Sequence, residues 1–97
     1  MKIALCQINP IVGSIDSNVD KILEFYNKAV INGSDIVVFP ELAITGYPPQ
    51  DLLLNDKFIK CNTVALENIA KRVTSAMIVG YIRKNGSNIY NSAALCE

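Results

Sequence analysis

Hydrophobic residues recur with two different periods along the first half of the chain. After a polar loop, apolar side chains follow one another at spacings of three and four residues, at Val19, Ile22, Leu23, Tyr26 and Val30. This spacing is typical of one face of an α-helix. Asp16 or Ser17 can cap the start of that helix, and Gly33 fits the left-handed position just after its end. The pattern predicts an amphipathic helix over roughly residues 17–32.

Two predicted strands flank this helix. Residues 2–8 alternate loosely between apolar and polar and end at a turn signal, Asn9 and Pro10. Residues 36–39 are apolar without interruption, which is typical of a strand buried on both faces. Pro40 ends this strand because proline has no N–H to donate to a neighbouring strand. Strand, helix and strand form a βαβ unit, so we expect parallel strands and a right-handed crossover.

The second half of the chain predicts one further helix and a hairpin. In order, it contains a short helical turn at 51–54, a helix at roughly 56–73 and a strand at 77–82. Asn85 and Gly86 form the dipeptide that favours a two-residue turn of type I′, in which both residues have positive φ. This turn should fold residues 89–95 back as a fourth, antiparallel strand.

The resulting order β-α-β-α-β-β belongs to the α/β class. The strands at 36–39 and 77–82 are apolar on both faces, so each face of the sheet needs cover. Two helices cannot cover both faces of four strands. We therefore expect at most one domain, and expect the missing cover to lie in sequence outside these 97 residues.

Composition removes several classes of function. Half of the residues are hydrophobic, and nine basic residues balance nine acidic ones. Without a cluster of Lys or Arg the chain lacks the electrostatic signature of a nucleic-acid-binding protein. Its apolar runs are too short to span a bilayer, and the N-terminus does not resemble a signal peptide. These features predict a cytoplasmic protein that binds neither nucleic acid nor membrane.

The cysteines do not suggest a metal site. Cys6, Cys61 and Cys96 lie far apart, no CxxC pair occurs, and the chain has no histidine. Zinc sites usually combine closely spaced Cys and His ligands, so no metal is expected. We expect all three cysteines to be buried or half-buried hydrophobic residues.

Glu41 directly follows the buried strand and Pro40, at a point where α/β proteins often place catalytic groups. Three interpretations are open: an exposed loop carboxylate, a cap of the turn at 43–46, or a general base whose pKa is raised by apolar walls. Most acid–base schemes also need a nucleophile or a metal. Ser14, Thr45 and Ser92 have no base beside them in the sequence, so the residues alone indicate a site without a nucleophile.

A motif around Glu41 resembles a known family. Residues 38–42, Val-Phe-Pro-Glu-Leu, followed by Gly46 and Tyr47, resemble the first catalytic motif of the carbon–nitrogen hydrolase (nitrilase) superfamily. The continuation through residue 53 is similar to one branch, the glutaminase domains of glutamine-dependent NAD synthetases. Residues 3–13 and 90–94 agree with the same family in the same order, so the resemblance covers the whole chain.

The resemblance implies a four-layer α-β-β-α sandwich of two sheets, of which this chain would form roughly one third. It also implies catalysis by Glu, Lys and Cys. The Glu is a general base for the Cys thiol, which attacks the side-chain amide of glutamine, and the Lys stabilises the tetrahedral intermediate. By motif position Glu41 would be the base, and Tyr47 would line the glutamine pocket. The released ammonia would pass to a synthetase domain that amidates deamido-NAD with ATP.

The chain departs from the family pattern in its catalytic set. Neither Lys84 nor Cys96 lies in a motif that resembles those of the family's Lys and Cys, which come later in the sequence. Residues 1–97 are therefore expected to be an N-terminal fragment of a glutaminase domain, without a synthetase domain and inactive alone. No cofactor is expected in this chain, since ATP and magnesium would belong to the synthetase domain.

Several functional hypotheses remain open at this point. The chain could be an enzyme piece that is completed by the rest of its domain in another chain. It could instead be a non-enzymatic remnant, or an interaction module that associates through an uncovered face of its sheet. A stand-alone amidase or nitrilase is the alternative parent.

Overall fold

The computed structural model describes residues 1–97 and confirms the predicted order of elements. The elements are β1 (Ile3–Leu5), α1 (Ile15–Ile31), β2 (Ile36–Val38), a 3-10 helix (Gln50–Leu54), α2 (Asp56–Ala70), β3 (Ala76–Asn85) and β4 (Asn88–Cys96). Neither α1 nor α2 combines the length and the hydrophobicity that a bilayer-spanning helix requires.

The four strands form one sheet in the order β1-β2-β3-β4. The first three strands are parallel, and β4 is antiparallel to β3, as the sequence predicted. Since successive crossovers are right-handed and advance in one direction, they place both helices on the same face of the sheet. The two helices contact each other there, so the molecule has one helical layer and one layer of sheet.

The core lies between the helices and the sheet. Its fully buried side chains come from both helices and from the two central strands, β2 and β3: Ile22, Tyr26, Val37, Ile69, Met77 and Val79. Tyr26 also anchors the start of β3, because its hydroxyl donates to the Ser75 carbonyl at 2.7 Å. The same hydroxyl accepts the N–H groups of Thr74 and Ser75, each at 2.8 Å. The core is thus joined to the α2–β3 connection by hydrogen bonds as well as by packing.

The opposite face of the sheet has no covering layer, and we call it the bare face. Leu5, Val38, Ile78 and Leu95 pair across the four strands and form an apolar row on it. Leu5 is 75% exposed and Leu95 is 61% exposed, whereas residues next to them in sequence pack toward the helices. This confirms that two helices leave one apolar face without cover.

The predicted cap of α1 is wrong. The helix starts at Ile15, so Ser14 occupies the N-cap position, and its side chain makes no capping hydrogen bond. Asp16 and Ser17 lie inside the first turn. The helix begins early because the Asn18 N–H already donates to the Ser14 carbonyl at 3.0 Å. Gly33 follows the helix with a φ of 86°, as predicted.

The predicted hairpin turn is displaced by one residue. Asn85 pairs with Asn88, so the two loop residues are Gly86 and Ser87. Gly86 has a φ of 64°, and it alone in the turn has a positive φ. A glycine at the first loop position with positive φ there only is typical of type II′, not type I′.

Candidate active site

Glu41 lies at the carboxyl end of β2, in the middle of the sheet. The last hydrogen bond between this end of β2 and the neighbouring β3 joins the Phe39 N–H to the Ile78 carbonyl at 2.9 Å. Pro40 has no N–H with which to continue the ladder, so the chain turns away from the sheet at Glu41. Ligand sites of open α/β sheets lie outside the carboxyl ends of the strands, and Glu41 is in such a position.

A buried turn follows Glu41. Residues 42–46 are buried, whereas Glu41 itself is exposed. Leu42 has a φ of 49°, a left-handed conformation that strains a leucine by about 1–3 kcal/mol. The Gly46 N–H donates to the Leu42 carbonyl at 2.8 Å and closes the turn. Such strain persists only where surrounding contacts hold the backbone, and it concentrates at functional sites.

Gly80 allows β3 to pass directly beside this turn. A Cβ at position 80 would lie 2.4 Å from the Leu42 nitrogen, 2.7 Å from the Pro40 oxygen and 2.9 Å from the Glu41 carbonyl carbon. The Gly80 carbonyl also accepts the Ile44 N–H at 3.3 Å. Gly80 lies outside the motif that marks Glu41 in the sequence. A single glycine inside an otherwise apolar strand was the available signal, since it often marks a close approach of backbone.

Glu41 lines a cavity of about 320 Å³ together with Phe39, Pro40, Ile78, Gly80, Asn91, Ser92 and Ala93. Gly80 pairs with Ala93, and Ile82 pairs with Asn91. Because side chains alternate along a strand, Asn91 and Ala93 point toward the bare face, and Ser92 points toward the helices. The cavity therefore opens at the edge of the bare face. Asn91 and Ala93 line the cavity. Neither residue has a chemical signal of its own in the sequence, although both lie in the stretch 90–94 that agrees with the family.

The geometry narrows the interpretations of Glu41. Its carboxylate makes no hydrogen bond with the turn at 43–46, which is closed by backbone groups, so the capping interpretation is wrong. The side chain is exposed, without a closed apolar pocket around it in these 97 residues. What remains is an exposed carboxylate on a strained, tightly held turn at the mouth of a cavity.

No thiol lines the cavity that contains Glu41. Burial raises the pKa of the Cys6 and Cys96 thiols, which makes both weaker nucleophiles at neutral pH. Cys61 is exposed on α2, contrary to the prediction that all three cysteines are at least half-buried. Cys61 lies at the edge of the buried face of α2, where the neighbouring Asn62 takes the buried position between Phe58 and Ala65.

No lysine lines this cavity either. Lys84 Nζ donates to Asp56 Oδ1 at 2.7 Å, which lowers the pKa of the Asp56 carboxyl and ties β3 to the start of α2. Groups of three or more potential metal ligands do not occur. In these 97 residues Glu41 therefore has neither a thiol nor a lysine beside it, and the one hydroxyl residue that lines the cavity, Ser92, points its side chain toward the helices.

A larger groove of about 610 Å³ lies elsewhere, between the start of α1 and the outer side of α2. It includes Cys61, Lys57 and Lys60 but no residue of the Glu41 turn. We place the candidate site at the smaller cavity, because only that cavity combines a carboxylate, a strained backbone and the end of a central parallel strand.

Tyr47 lies outside the Glu41 cavity. Its side chain is 63% exposed and follows Gly46 on the outer surface of the turn. A role for Tyr47 in lining a glutamine pocket stays a prediction.

The close contact between β3 and the turn does not depend on side-chain hydrogen bonds. It depends on the missing Cβ of Gly80 and on the backbone bond from Ile44. A substitution at Gly80 is consequently the most direct way to move Glu41 without changing its chemistry.

Comparison with known proteins identifies the family. The sequence profile described as Carbon-nitrogen hydrolase matches residues 2–97. The glutamine-dependent NAD(+) synthetase of Synechocystis is 38% identical over 104 residues, which cover 98% of this chain and 19% of that protein. The enzyme of the same name from Acinetobacter baylyi is 37% identical over 97 residues, covering 99% of this chain and 18% of that protein. The chain thus spans less than a fifth of the length of these curated relatives.

Solved structures agree in fold. The glutamine-dependent NAD+ synthetase from Acinetobacter baumannii superposes with a TM-score of 0.89 at 36% identity, over 96% of this chain and 18% of that one. An amidase from Nesterenkonia superposes with a TM-score of 0.85 at 23% identity, over 98% of this chain and 37% of that one. The bare face and the incomplete cover are those of part of a nitrilase-type sandwich. The chain belongs to the carbon–nitrogen hydrolase family.

Proposed function

We propose that residues 1–97 form the first part of a glutaminase site in which Glu41 is the general base. The observation that carries the proposal is the placement of Glu41, on a strained turn at the end of β2, with its cavity open toward the bare face. The relatives that match nearly the whole chain are named glutamine-dependent NAD(+) synthetases, which supports glutamine as the substrate.

The chemistry needs two further groups from sequence outside residues 1–97. Glu41 accepts the proton of a cysteine thiol, and the thiolate attacks the amide carbon of glutamine. A lysine stabilises the oxyanion of the tetrahedral intermediate. The proton then passes to the leaving nitrogen, which departs as ammonia and leaves a thioester. Water hydrolyses the thioester, with Glu41 again as the base, and glutamate is released.

The 97 residues alone should hydrolyse no glutamine. The cavity around Glu41 contains no Cys and no Lys, and loss of a nucleophile leaves only residual catalysis. No cofactor is proposed for these residues. ATP and magnesium would act at the synthetase part of a complete enzyme.

The bare face is the second functional feature that we propose. Its apolar row, Leu5, Val38, Ile78 and Leu95, is suited to pack against the second sheet of a complete sandwich. In the 97-residue chain alone the same face would favour self-association, because exposed apolar patches associate in water.

A chimeric enzyme tests the proposed function. Residues 1–97 replace the matching segment of the Acinetobacter baylyi synthetase. The match to this segment covers 99% of the present chain. Formation of NAD is measured with glutamine or with ammonium as the nitrogen donor. We expect both nitrogen donors to support the reaction. Residues 1–97 would contribute Glu41 as the base, in place of the segment removed from the host, and the host would contribute the thiol, the lysine and the synthetase part.

The ammonium reaction is the internal control for folding of the chimera. Ammonium-dependent activity without glutamine-dependent activity would contradict the proposal, because the site would then be present but unable to release ammonia. The same segment placed in the Nesterenkonia amidase tests the alternative parent. A chimera that is active on simple amides there, but inactive with glutamine in the synthetase, would favour a stand-alone amidase.

A further inference from the structure

Asn18 is the most completely hydrogen-bonded buried side chain near the Glu41 turn. It lies in the first turn of α1 and has no solvent exposure. Its Oδ1 accepts the Ile11 N–H at 2.7 Å. Its Nδ2 donates to the Ile11 carbonyl and to the Ile44 carbonyl, each at 2.9 Å. One acceptor bond and two donor bonds use both N–H groups that an asparagine amide has.

The Ile44 carbonyl belongs to the turn that carries Glu41. The N–H of Ile44 is held from the other side by the Gly80 carbonyl at 3.3 Å. The next carbonyl, that of Thr45, accepts the Gly13 N–H at 3.0 Å. The turn is therefore fixed between β3 on one side and α1 with the loop at 11–13 on the other. This double attachment accounts for the persistence of the left-handed Leu42 next to Glu41.

We infer that Asn18 is a positioning residue for Glu41, acting through the Ile44 carbonyl. The inference rests on the proposed function, since Glu41 needs positioning only if it is the base. No hydrogen bond joins Asn18 to Glu41, so the effect passes along the backbone of the turn.

Loss of the Asn18 amide has a defined structural consequence. The buried Ile44 carbonyl loses its side-chain donor, and the one backbone hydrogen bond that still holds the turn on the α1 side is that from the Gly13 N–H to the Thr45 carbonyl. The turn can then relax and shift the carboxylate. A displacement of about 1 Å is enough to lower a catalytic rate by about 100-fold.

Asn62 provides a matched control. It too has no solvent exposure, and it too binds one backbone residue with both ends of its amide. Its Oδ1 accepts the Ile82 N–H at 3.1 Å, and its Nδ2 donates to the Ile82 carbonyl at 2.6 Å. It joins α2 to β3 and makes no bond to residues 41–46. Loss of either amide removes comparable hydrogen bonds, but only loss of Asn18 releases the Glu41 turn.

The test compares Asn18→Ala and Asn62→Ala in the synthetase chimera. For Asn18→Ala we expect kcat with glutamine to fall by about 10- to 100-fold, with KM for glutamine and the ammonium-dependent rate changed by less than about threefold. Hydrogen exchange of a peptide covering residues 41–47 should become faster. For Asn62→Ala we expect kcat and the exchange of that peptide to stay close to those of the parent chimera.

The outcomes separate positioning from a general structural role. Equal losses of kcat in both variants, or no loss in Asn18→Ala, would overturn the inference. If Asn18→Ala lacks ammonium-dependent activity and is unfolded, Asn18→Asp with Asn62→Asp repeats the comparison, because the shape of the side chain and the acceptor oxygen are kept. Glu41→Gln distinguishes the two proposals: if it keeps glutamine-dependent activity, the proposed function fails, and if it loses activity while Asn18→Ala does not, only the role of Asn18 fails.

Discussion

Gly80→Ala is expected to displace the turn that carries Glu41 and to destabilise the protein by about 1–3 kcal/mol, the usual range for overpacking. The added Cβ would meet backbone atoms of Pro40, Glu41 and Leu42 at 2.4–2.9 Å, and backbone cannot rotate away as a flexible side chain can. In the synthetase chimera the glutamine-dependent rate should fall by about 100-fold. The ammonium-dependent rate and the thermal midpoint report whether the fold survives.

Gly33→Ala is the control for a glycine substitution without crowding. Gly33 has a φ of 86°, but a Cβ there would meet nothing within 4 Å. The expected loss is about 1–2 kcal/mol from the left-handed backbone, with no change in the ratio of glutamine- to ammonium-dependent rates. If the Gly80→Ala chimera kept the parent's ratio of glutamine- to ammonium-dependent rates, the prediction would be wrong. The turn would then tolerate β3 at a greater distance without moving Glu41.

Charged residues on the bare face should have opposite effects in two contexts. In the 97-residue chain, Leu5→Lys combined with Leu95→Lys should reduce hydrophobic-dye binding and self-association, because the two most exposed leucines of the apolar row become charged. In the chimera the same pair should lower the thermal midpoint strongly. In the chimera each buried leucine contributes about 1.5–3 kcal/mol to the free energy of unfolding. Burial of an unpaired ammonium group in its place lowers that free energy further.

The control pair is Ile31→Lys with Leu54→Lys. Both residues are 84% exposed but lie off the bare face, at the end of α1 and at the end of the 3-10 helix. We expect this control pair to change neither the dye binding and self-association of the 97-residue chain nor the thermal midpoint of the chimera by much. Dye binding and association are measured by fluorescence and by sedimentation. Equal behaviour of the two lysine pairs in the chimera would mean that the bare face is not an internal surface of a sandwich.

Periodicity predicted the architecture because each element is determined by local residues. The apolar stripe of α1 and the uninterrupted strand before Pro40 specify helix and strand within a few residues of themselves. The uncovered face was also predictable, because two helices are too few to cover both apolar faces of a four-stranded sheet. The hairpin turn was misplaced by one residue because Asn85 and Gly86 favour one turn type locally, whereas the pairing of Asn85 with Asn88 decides the register.

The candidate site was only partly predictable, since its contacts join distant parts of the chain. Glu41 is recognisable from its place after a buried strand and from its motif. Asn18 gave no such signal, because it lies in a stretch of capping residues and its partner carbonyl is 26 residues away. The fit of Gly80 against residues 40–42 is equally long-range. Local patterns locate a strand end, but they do not show which backbone atoms approach it.

Glu41→Gln in the synthetase chimera tests the central claim most directly. The glutamine side chain introduced at position 41 has the size of the original side chain and keeps its place at the cavity. It cannot accept a proton as a carboxylate does. The account predicts that the glutamine-dependent rate of NAD formation falls by about 100-fold or more, while the ammonium-dependent rate is unchanged. A variant that retains the parent's rates with both donors would contradict the assignment of Glu41 as the general base.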